Sequence, residues 1–127
     1  MKLTKKLTEA TALECERLLG DLKGVLAVVV ASQDGFDIAN CVSNGIDPER
    51  IAAMASSISA LGAVVTQEAA IGNSQSVTVK TEDGFAYIIG IHIQDKPYIL
   101  NLIASNSAIL GQVIYHCSEA QKRLNTL

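Results

Sequence analysis

The segment from Val25 to Ala31 is an unbroken apolar run, mostly β-branched, and it constrains the fold more than any other feature of the sequence. Such a run predicts a buried strand. It is followed by Asp34-Gly35, a dipeptide typical of hairpin turns because both residues tolerate positive φ. The chain from Phe36 to Val42 is therefore expected to return as a second strand.

Helical patterns lie on both sides of this hairpin. The first helix is predicted from apolar residues at helical spacing and ends at Lys23-Gly24, where Gly permits a left-handed terminus. Its apolar positions are Leu7, Thr11, Cys15, Leu18 and Leu22. After Asn44-Gly45, the pair Asp47-Pro48 predicts a second helix that extends to about Ala69, because Asp caps helices and Pro fits their first turn.

The second helix carries two kinds of apolar surface. A stripe at i, i+3, i+4 and i+7 spacing is expected to cover one face of a sheet; it comprises Ile51, Met54, Ala55, Ile58, Leu61 and Val65. The other faces hold small residues where a solvated helix would carry Lys and Glu; these are Ala53, Ser56, Ser57, Ala60, Ala63 and Val64. Small residues let helices approach closely, so a helix-to-helix contact is favoured over burial beneath a loop.

The last third of the chain predicts an antiparallel meander and a closing helix. Three strands are expected at Ser74 to Thr81, Phe85 to Ile93 and Tyr98 to Ala104, separated by Asp83-Gly84 and Asp95-Lys96-Pro97. Ser105, Asn106 or Ser107 is expected to cap the final helix. The apolar positions of that helix are Leu110, Val113, Ile114, Cys117, Ala120 and Leu124.

The predicted order is thus α-β-β-α-β-β-β-α, in the α/β (α+β) class. It implies one five-stranded antiparallel sheet with helices on both faces. We expect a single domain over residues 1–127, because a chain of this length is too short for two sizeable cores. Hydrophobic residues make up 49% of the chain and aromatic residues only 4%, so the core must be aliphatic.

Composition and motifs argue against several classes of function. A net charge of −3 with scattered Lys and Arg does not favour nucleic-acid binding. No apolar run is expected to span a membrane or act as a signal peptide, which predicts a cytoplasmic protein. Cys15, Cys41 and Cys117 form no Cys-x-x-Cys pair and are expected to be reduced, buried small hydrophobes.

Catalytic signatures are also missing from the sequence. It contains no Gly-x-x-x-x-Gly-Lys-Ser/Thr loop, no Gly-x-Gly-x-x-Gly and no Gly-x-Ser-x-Gly, and His92 and His116 belong to no nucleophile pattern. Adjacent helix positions such as His116 and Cys117 point about 100° apart and rarely share one metal. We therefore predict a protein that is not an enzyme and has no catalytic residue, cofactor or metal.

The element order and four segments together resemble the bacterial roadblock/dynein light-chain family, whose domains have a profilin-like fold. The segments are Gly24-Val25, Ala31 to Gly35, Asp47 to Ala53 and Asn106 to Gly111. The resemblance implies that the third strand lies at a sheet edge and pairs with its copy in a second subunit, while the second helices pack together. It implies a homodimer, or a heterodimer with a paralogous roadblock subunit, and partnership with a small Ras-like GTPase.

Two sets of candidate residues follow. The predicted dimer interface comprises Ser76, Val77, Thr78, Val79 and Lys80 on the third strand, with Ala53, Ser57, Ala60 and Val64 on the second helix. Possible GTPase contacts are Arg50, Ser56 and Ala63. An unpaired edge invites strand addition, although Lys80 and a short strand would also protect the edge of a monomer.

Three functions remain open at this point. The first is a dimer that binds and regulates a small Ras-like GTPase, as an activating or scaffolding factor. The second is a structural adaptor subunit of a larger complex, without effect on GTP turnover. The third is a small-molecule sensor, for which Gly90 in a predicted strand is the only hint.

Overall fold

Three helices and five strands follow one another in the predicted order in the computed structural model, which describes residues 3–43 and 45–127. The elements are α1 (Lys5–Asp21), β1 (Val25–Ser32), β2 (Asp37–Val42), α2 (Pro48–Glu68), β3 (Ser76–Lys80), β4 (Gly84–Ile93), β5 (Lys96–Ser105) and α3 (Leu110–Asn125). The fold class predicted from the sequence is confirmed. Asn44, next to one predicted turn, lies outside the described residues.

The five strands form one antiparallel sheet with the order β2-β1-β5-β4-β3. β1 lies between β2 and β5. Of the run predicted to be buried, Ala27 to Ala31 are fully buried, whereas Val25 is half-buried and Leu26 is 38% exposed. β3 is five residues long and pairs with β4 alone, so it is an edge strand.

The main core lies between the sheet and the pair α1 and α3. α1 contributes Cys15, Leu18 and Leu22 to it, and α3 contributes residues such as Val113 and Cys117. α2 packs on the opposite face of the sheet, against β1 and β5 in particular. Helices therefore cover both faces of the sheet. Among the described residues, α1 and α3 lie on one face and α2 is the only helix on the other.

The turn between β4 and β5 corrects one predicted boundary. The sequence placed the break at Asp95-Lys96-Pro97, whereas the turn residues are Gln94 and Asp95, with φ of 51° and 62°. Positive φ at both central residues is the geometry of a type I′ hairpin turn, whose twist matches that of the strands. Lys96 and Pro97 consequently belong to β5, where Pro97 lies opposite His92.

The predicted cap of α3 is also wrong. The helix begins at Leu110, and its N-cap position, Ile109, provides no side-chain hydrogen bond. The three polar candidates serve the preceding loop instead: the Ser105 hydroxyl donates to the carbonyl of Gly24 and contacts Ser107, while Asn106 donates to the carbonyl of Glu82. These hydrogen bonds connect the end of β5 to Gly24, which precedes β1, and to Glu82 in the β3–β4 turn, and none of them caps α3.

One ion pair joins the two helices of the main core. Arg123 of α3 donates through Nε and Nη2 to the carboxylate of Glu14 on α1, at 2.9–3.0 Å. The Glu14 side chain is only 11% exposed, and its hydrogen bonds raise the pKa of Arg123. No local spacing in the sequence identifies this pair, because its two residues lie 109 positions apart.

This pair provides a test of how the helices are held together. Replacing Arg123 with Met leaves a buried carboxylate without its main donor, so we expect a loss of about 1–2 kcal/mol in the free energy of unfolding. Arg17 also lies near Glu14, at 3.6 Å, but is half exposed. Arg17→Met is therefore the matched control, with an expected change below about 0.5 kcal/mol. Equal losses in urea titrations of both variants would contradict this role.

Candidate functional site: the outer face of α2 and the edge of β3

α2 rests on the sheet through small residues. Ala52 and Ala55 are fully buried and Gly62 is half-buried. A Cβ atom built at Gly62 would lie 2.8 Å from Cγ2 of Val77 on β3, which is closer than real contacts allow. The absence of a side chain at Gly62 thus lets the helix lie directly on β3.

This close packing corrects the predicted sheet-facing stripe. Ile51, Ala55 and Ile58 of the stripe do face the sheet. Its three other members point outward instead and are strongly exposed: Met54 at 51%, Leu61 at 64% and Val65 at 63%. Positions on a helix are about 100° apart, and Met54, Leu61 and Val65 lie to one side of the arc that Ala52, Ala55 and Gly62 turn toward the sheet. These three large apolar residues are therefore on the solvent side of the helix.

Met54, Leu61 and Val65 lie next to the small residues for which the sequence predicted a helix-to-helix contact. Ala53, Ser57, Ala60 and Val64 are all exposed. We call the combined surface the α2 outer face; it comprises Ala53, Met54, Ser57, Ala60, Leu61, Val64 and Val65. No charged residue occurs between Arg50 and Glu68. Contiguous apolar surface without charge is typical of a protein interface.

The first turn of α2 holds its only arginine. Asp47 caps the helix by accepting from the Glu49 N–H at 3.0 Å, and Arg50 Nε lies 3.6 Å from Asp47 Oδ2. The Arg50 side chain is 84% exposed, so this ion pair holds it weakly. Arg50 therefore stands at one end of the α2 outer face, free to reorient.

The other two candidate GTPase contacts lie closer to the sheet. The Ser56 hydroxyl donates to the carbonyl of Gln33 in the β1–β2 connection, and Ala63 is half-buried beside the segment that leads into β3. The structure thus separates Arg50, which projects into solvent, from Ser56 and Ala63, which flank the buried side of the helix.

The apolar character of α2 also corrects an expectation about membranes. The sequence was expected to contain no stretch suited to spanning a bilayer. The 21 residues of α2 are nevertheless long and apolar enough to cross a membrane, by length and composition alone. Length and composition alone are weak evidence for a span. Its small residues are matched to the sheet beneath it, so we interpret the apolar outer face as a surface for protein.

The open edge of β3 lies beside this helix. Thr81 N–H donates to the Gly84 carbonyl at 2.8 Å, which fixes the alternation of the ladder: Val77 and Val79 turn their backbone groups toward β4. The N–H and C=O groups of Ser76, Thr78 and Lys80 therefore face the open side. Val77 and Val79 share the face covered by α2, and Val79 remains 42% exposed.

The chemistry available to the described residues is limited. They contain no group of three or more His, Cys, Asp or Glu side chains that could hold a metal. Burial raises the pKa of the Cys15 and Cys117 thiols to about 12, so both stay protonated near neutral pH. Cys41 was also expected to be buried but is only half-buried, because it lies on β2 at the edge of the sheet.

The role of Gly62 can be tested against a second helical glycine. A Cβ at Gly20 in α1 would meet nothing within 4 Å, so Gly20→Ala is expected to stabilise the protein by about 0.5–1 kcal/mol through helix propensity. Gly62→Ala gains the same propensity but pushes α2 off Val77, at a cost of about 1–3 kcal/mol. We expect no net gain from it in thermal unfolding at equal concentration. An equal gain for both variants would contradict the close contact.

Comparison with solved structures shows where this fold occurs. MglB from Myxococcus xanthus superposes with a TM-score of 0.84 at 16% identity, covering 99% of this chain and 92% of that one. The gliding protein MglB from Thermus thermophilus gives 0.84 at 16%, with 99% and 93% covered. A Roadblock/LC7 domain from Streptomyces avermitilis gives 0.81 at 16%, with 91% and 94% covered.

A search of curated proteins found no match. At identities of 16% the structural similarities establish only the fold. The assignment to a family comes from a match between this sequence and a model of a known domain family. The model of the Roadblock/LC7 domain matches residues 11–92, from the middle of α1 to the end of β4, which is more than half of the chain. The chain therefore belongs to the Roadblock/LC7 domain family.

Proposed function

We propose that this chain is a cytoplasmic regulatory module that forms a dimer through β3 and α2 and binds a small Ras-like GTPase on the platform made by the two α2 helices. The observation that carries the proposal is the α2 outer face, which exposes Met54, Leu61 and Val65 beside an open strand edge. The GTPase comes from the family resemblance. The module acts by contact and performs no chemistry itself.

The open edge of β3 has a self-complementary register. If a two-fold axis passes through Thr78, this residue lies opposite its own copy, and Ser76 lies opposite Lys80 of the second copy. Every outward-facing backbone group of β3 then has a partner, because the outward residues are Ser76, Thr78 and Lys80. The two sheets would become one continuous sheet.

The same axis brings the two α2 helices together. Val77 of one copy lies opposite Val79 of the other on the α2 side, in a non-hydrogen-bonded pair where side chains are closest. Because the axis is perpendicular to the sheet, the two helices are antiparallel, and their C-terminal halves lie above β3 near the axis. Leu61 and Val65 are then covered, which explains why the protomer alone leaves them exposed.

A paired platform offers a GTPase a surface that one protomer lacks. Arg50 marks the outer end of each helix, and its weak pairing with Asp47 leaves it available to a partner. A related structure is described as "MglB with tetrameric arrangement", so self-assembly occurs in a relative with this fold at 17% identity. We propose that stimulation of GTP turnover, where it occurs, works by repositioning GTPase loops rather than by an inserted catalytic residue.

Strand pairing predicts a specific effect of proline at the β3 edge. Thr78→Pro removes an N–H that β4 does not use, so the protomer is expected to fold, whereas pairing with a second copy is lost. Light scattering is expected to show a halved mass compared with the wild type. Thr78→Val keeps the N–H and serves as the control. A Thr78→Pro protein of unchanged dimeric mass would exclude this edge.

The proposed binding of a GTPase to the α2 outer face is tested by comparing two substitutions of exposed leucines, one on α2 and one on α1. Leu61→Glu introduces a charge on the α2 outer face, and Leu13→Glu introduces one on α1, where the leucine is 50% exposed. Neither change should alter protomer stability by more than about 0.5 kcal/mol. The tagged chain is expressed in its native host, and co-purified proteins are identified by mass spectrometry.

We expect a Ras-like GTPase to accompany the wild type and Leu13→Glu, and to fall at least tenfold with Leu61→Glu. Recovery of no GTPase by the wild type would exclude the GTPase as partner. Equal recovery by both variants would place its site elsewhere. A GTPase that binds with no change in GTP turnover would identify the chain as an adaptor.

A further inference from the structure

The two faces of the sheet are packed differently. On the side of α1 and α3, the buried residues form one continuous cluster. Beneath α2 they fall into two separate small clusters. These are Val29 with Ala31 and Ala52, and Ile88 with Ile99 and Ala55. Within α2 itself, only the two alanines are buried. The area that α2 buries is therefore small, and so is the hydrophobic stabilisation of its contact with the sheet.

A polar side chain lies between these two clusters. Asn101 on β5 pairs with Val29 of β1 on one side and with Ile88 of β4 on the other, so the three side chains form a row on the face that α2 covers. Asn101 is 3% exposed, and its Oδ1 has no hydrogen-bond partner among the described residues. A carbonyl oxygen that is buried without a donor destabilises the state that buries it. Asn101 therefore weakens the docking of α2 on the sheet.

The ends of α2 allow the helix to move as a unit. Gly45 precedes it with a φ of 89°, and Gly72 follows it with a φ of 96°. A Cβ atom at either glycine would meet nothing within 4 Å, so each has free space around it. A few loop residues can absorb the change in φ and ψ when an element swings about a hinge. Between these ends, the Ser56 hydroxyl donates to the Gln33 carbonyl and ties α2 to the β1–β2 connection.

We propose that α2 opens away from the sheet as one unit while the rest of the protomer stays folded, and that Asn101 raises the population of this open state. Proteins open in cooperative units, and the free energy of opening is lowest where few apolar contacts are buried. With α2 open, its outer face no longer lies beside β3, so opening removes the surface to which we assign dimer formation and GTPase binding. This consequence rests on the proposed function, whereas the opening is a property of the protomer.

Amide hydrogen exchange of the native protein, followed by NMR in low concentrations of urea, measures the opening of each element. The slowest amides of α2 are expected to exchange at least about 100-fold faster than those of β1 and β5, after correction for intrinsic rates. The wild type is compared with Thr78→Pro and Leu61→Glu, two variants that are expected to separate the proposed dimer.

The outcomes distinguish the opening from the dimer. Faster exchange of α2 in all three proteins, or in the two variants alone, would support the proposal, and the second result would show in addition that pairing holds α2 closed. Exchange of α2, β1 and β5 with one common free energy of opening in all three proteins would overturn it, whatever mass light scattering gives.

Arg123→Met tests whether the main core persists when α2 opens. Arg123 binds Glu14 on the other face of the sheet, so its loss lowers the free energy of global unfolding. Exchange in β1 and β5 is expected to become about tenfold faster, while exchange in α2 stays within about twofold of the wild type. An equal acceleration in α2 would show that α2 exchanges only through global unfolding and would overturn the proposal.

Asn101→Val tests the role of the buried amide, in whichever of these proteins α2 opens separately. Removal of the unpaired carbonyl is expected to slow exchange in α2 by about tenfold, because the docked state no longer buries it. Asn101→Thr is the matched control, since threonine has the shape of valine but buries a hydroxyl, and it is expected to slow exchange less. Equal effects of the two variants, or no slowing with Asn101→Val, would exclude Asn101 as the cause of the opening.

Discussion

The close approach of α2 to the sheet is the constraint on which the rest of the structure depends. It exists because Ala52, Ala55 and Gly62 let the helix backbone come close to the sheet, with Gly62 against Val77. Leu61 and Val65 lie outside the arc of the helix that faces the sheet and are exposed to solvent. An apolar outer face that water disfavours follows directly from the way the helix is seated.

The strand beneath Gly62 connects this packing to assembly. Val77 fixes β3 under α2, while Ser76, Thr78 and Lys80 present their backbone groups at the sheet edge. The helix surface and the strand edge are therefore adjacent on one side of the molecule, where a single two-fold axis can satisfy both. A surface of this kind gains its specificity from backbone pairing and its stability from apolar burial.

The sequence predicted the element order well, because each strand is apolar or alternating and turn residues such as Asp34-Gly35 separate the strands, while the edge position of β3 came from the family resemblance. It failed where helical spacing alone decides orientation. Met54 and Leu61 fit a sheet-facing stripe as well as Ile58 does, and the spacing does not show which arc of the helix meets the sheet. The ion pair of Glu14 with Arg123 joins elements far apart in the chain, which local patterns do not specify.

The central claim is that β3 pairs with its own copy in a register centred on Thr78, and engineered disulfide formation tests it most directly. In this register the Cα atoms of the two Thr78 residues are about 5.5 Å apart, within the span of roughly 4.4–6.8 Å that a disulfide bridges. The two Ser76 residues would be roughly 14 Å apart. Under oxidised glutathione, Thr78→Cys is predicted to form a covalent dimer on a non-reducing gel, and Ser76→Cys is predicted to stay monomeric, as is the wild type with its own cysteines. Failure of Thr78→Cys to cross-link, or equal cross-linking by Ser76→Cys, would contradict the account.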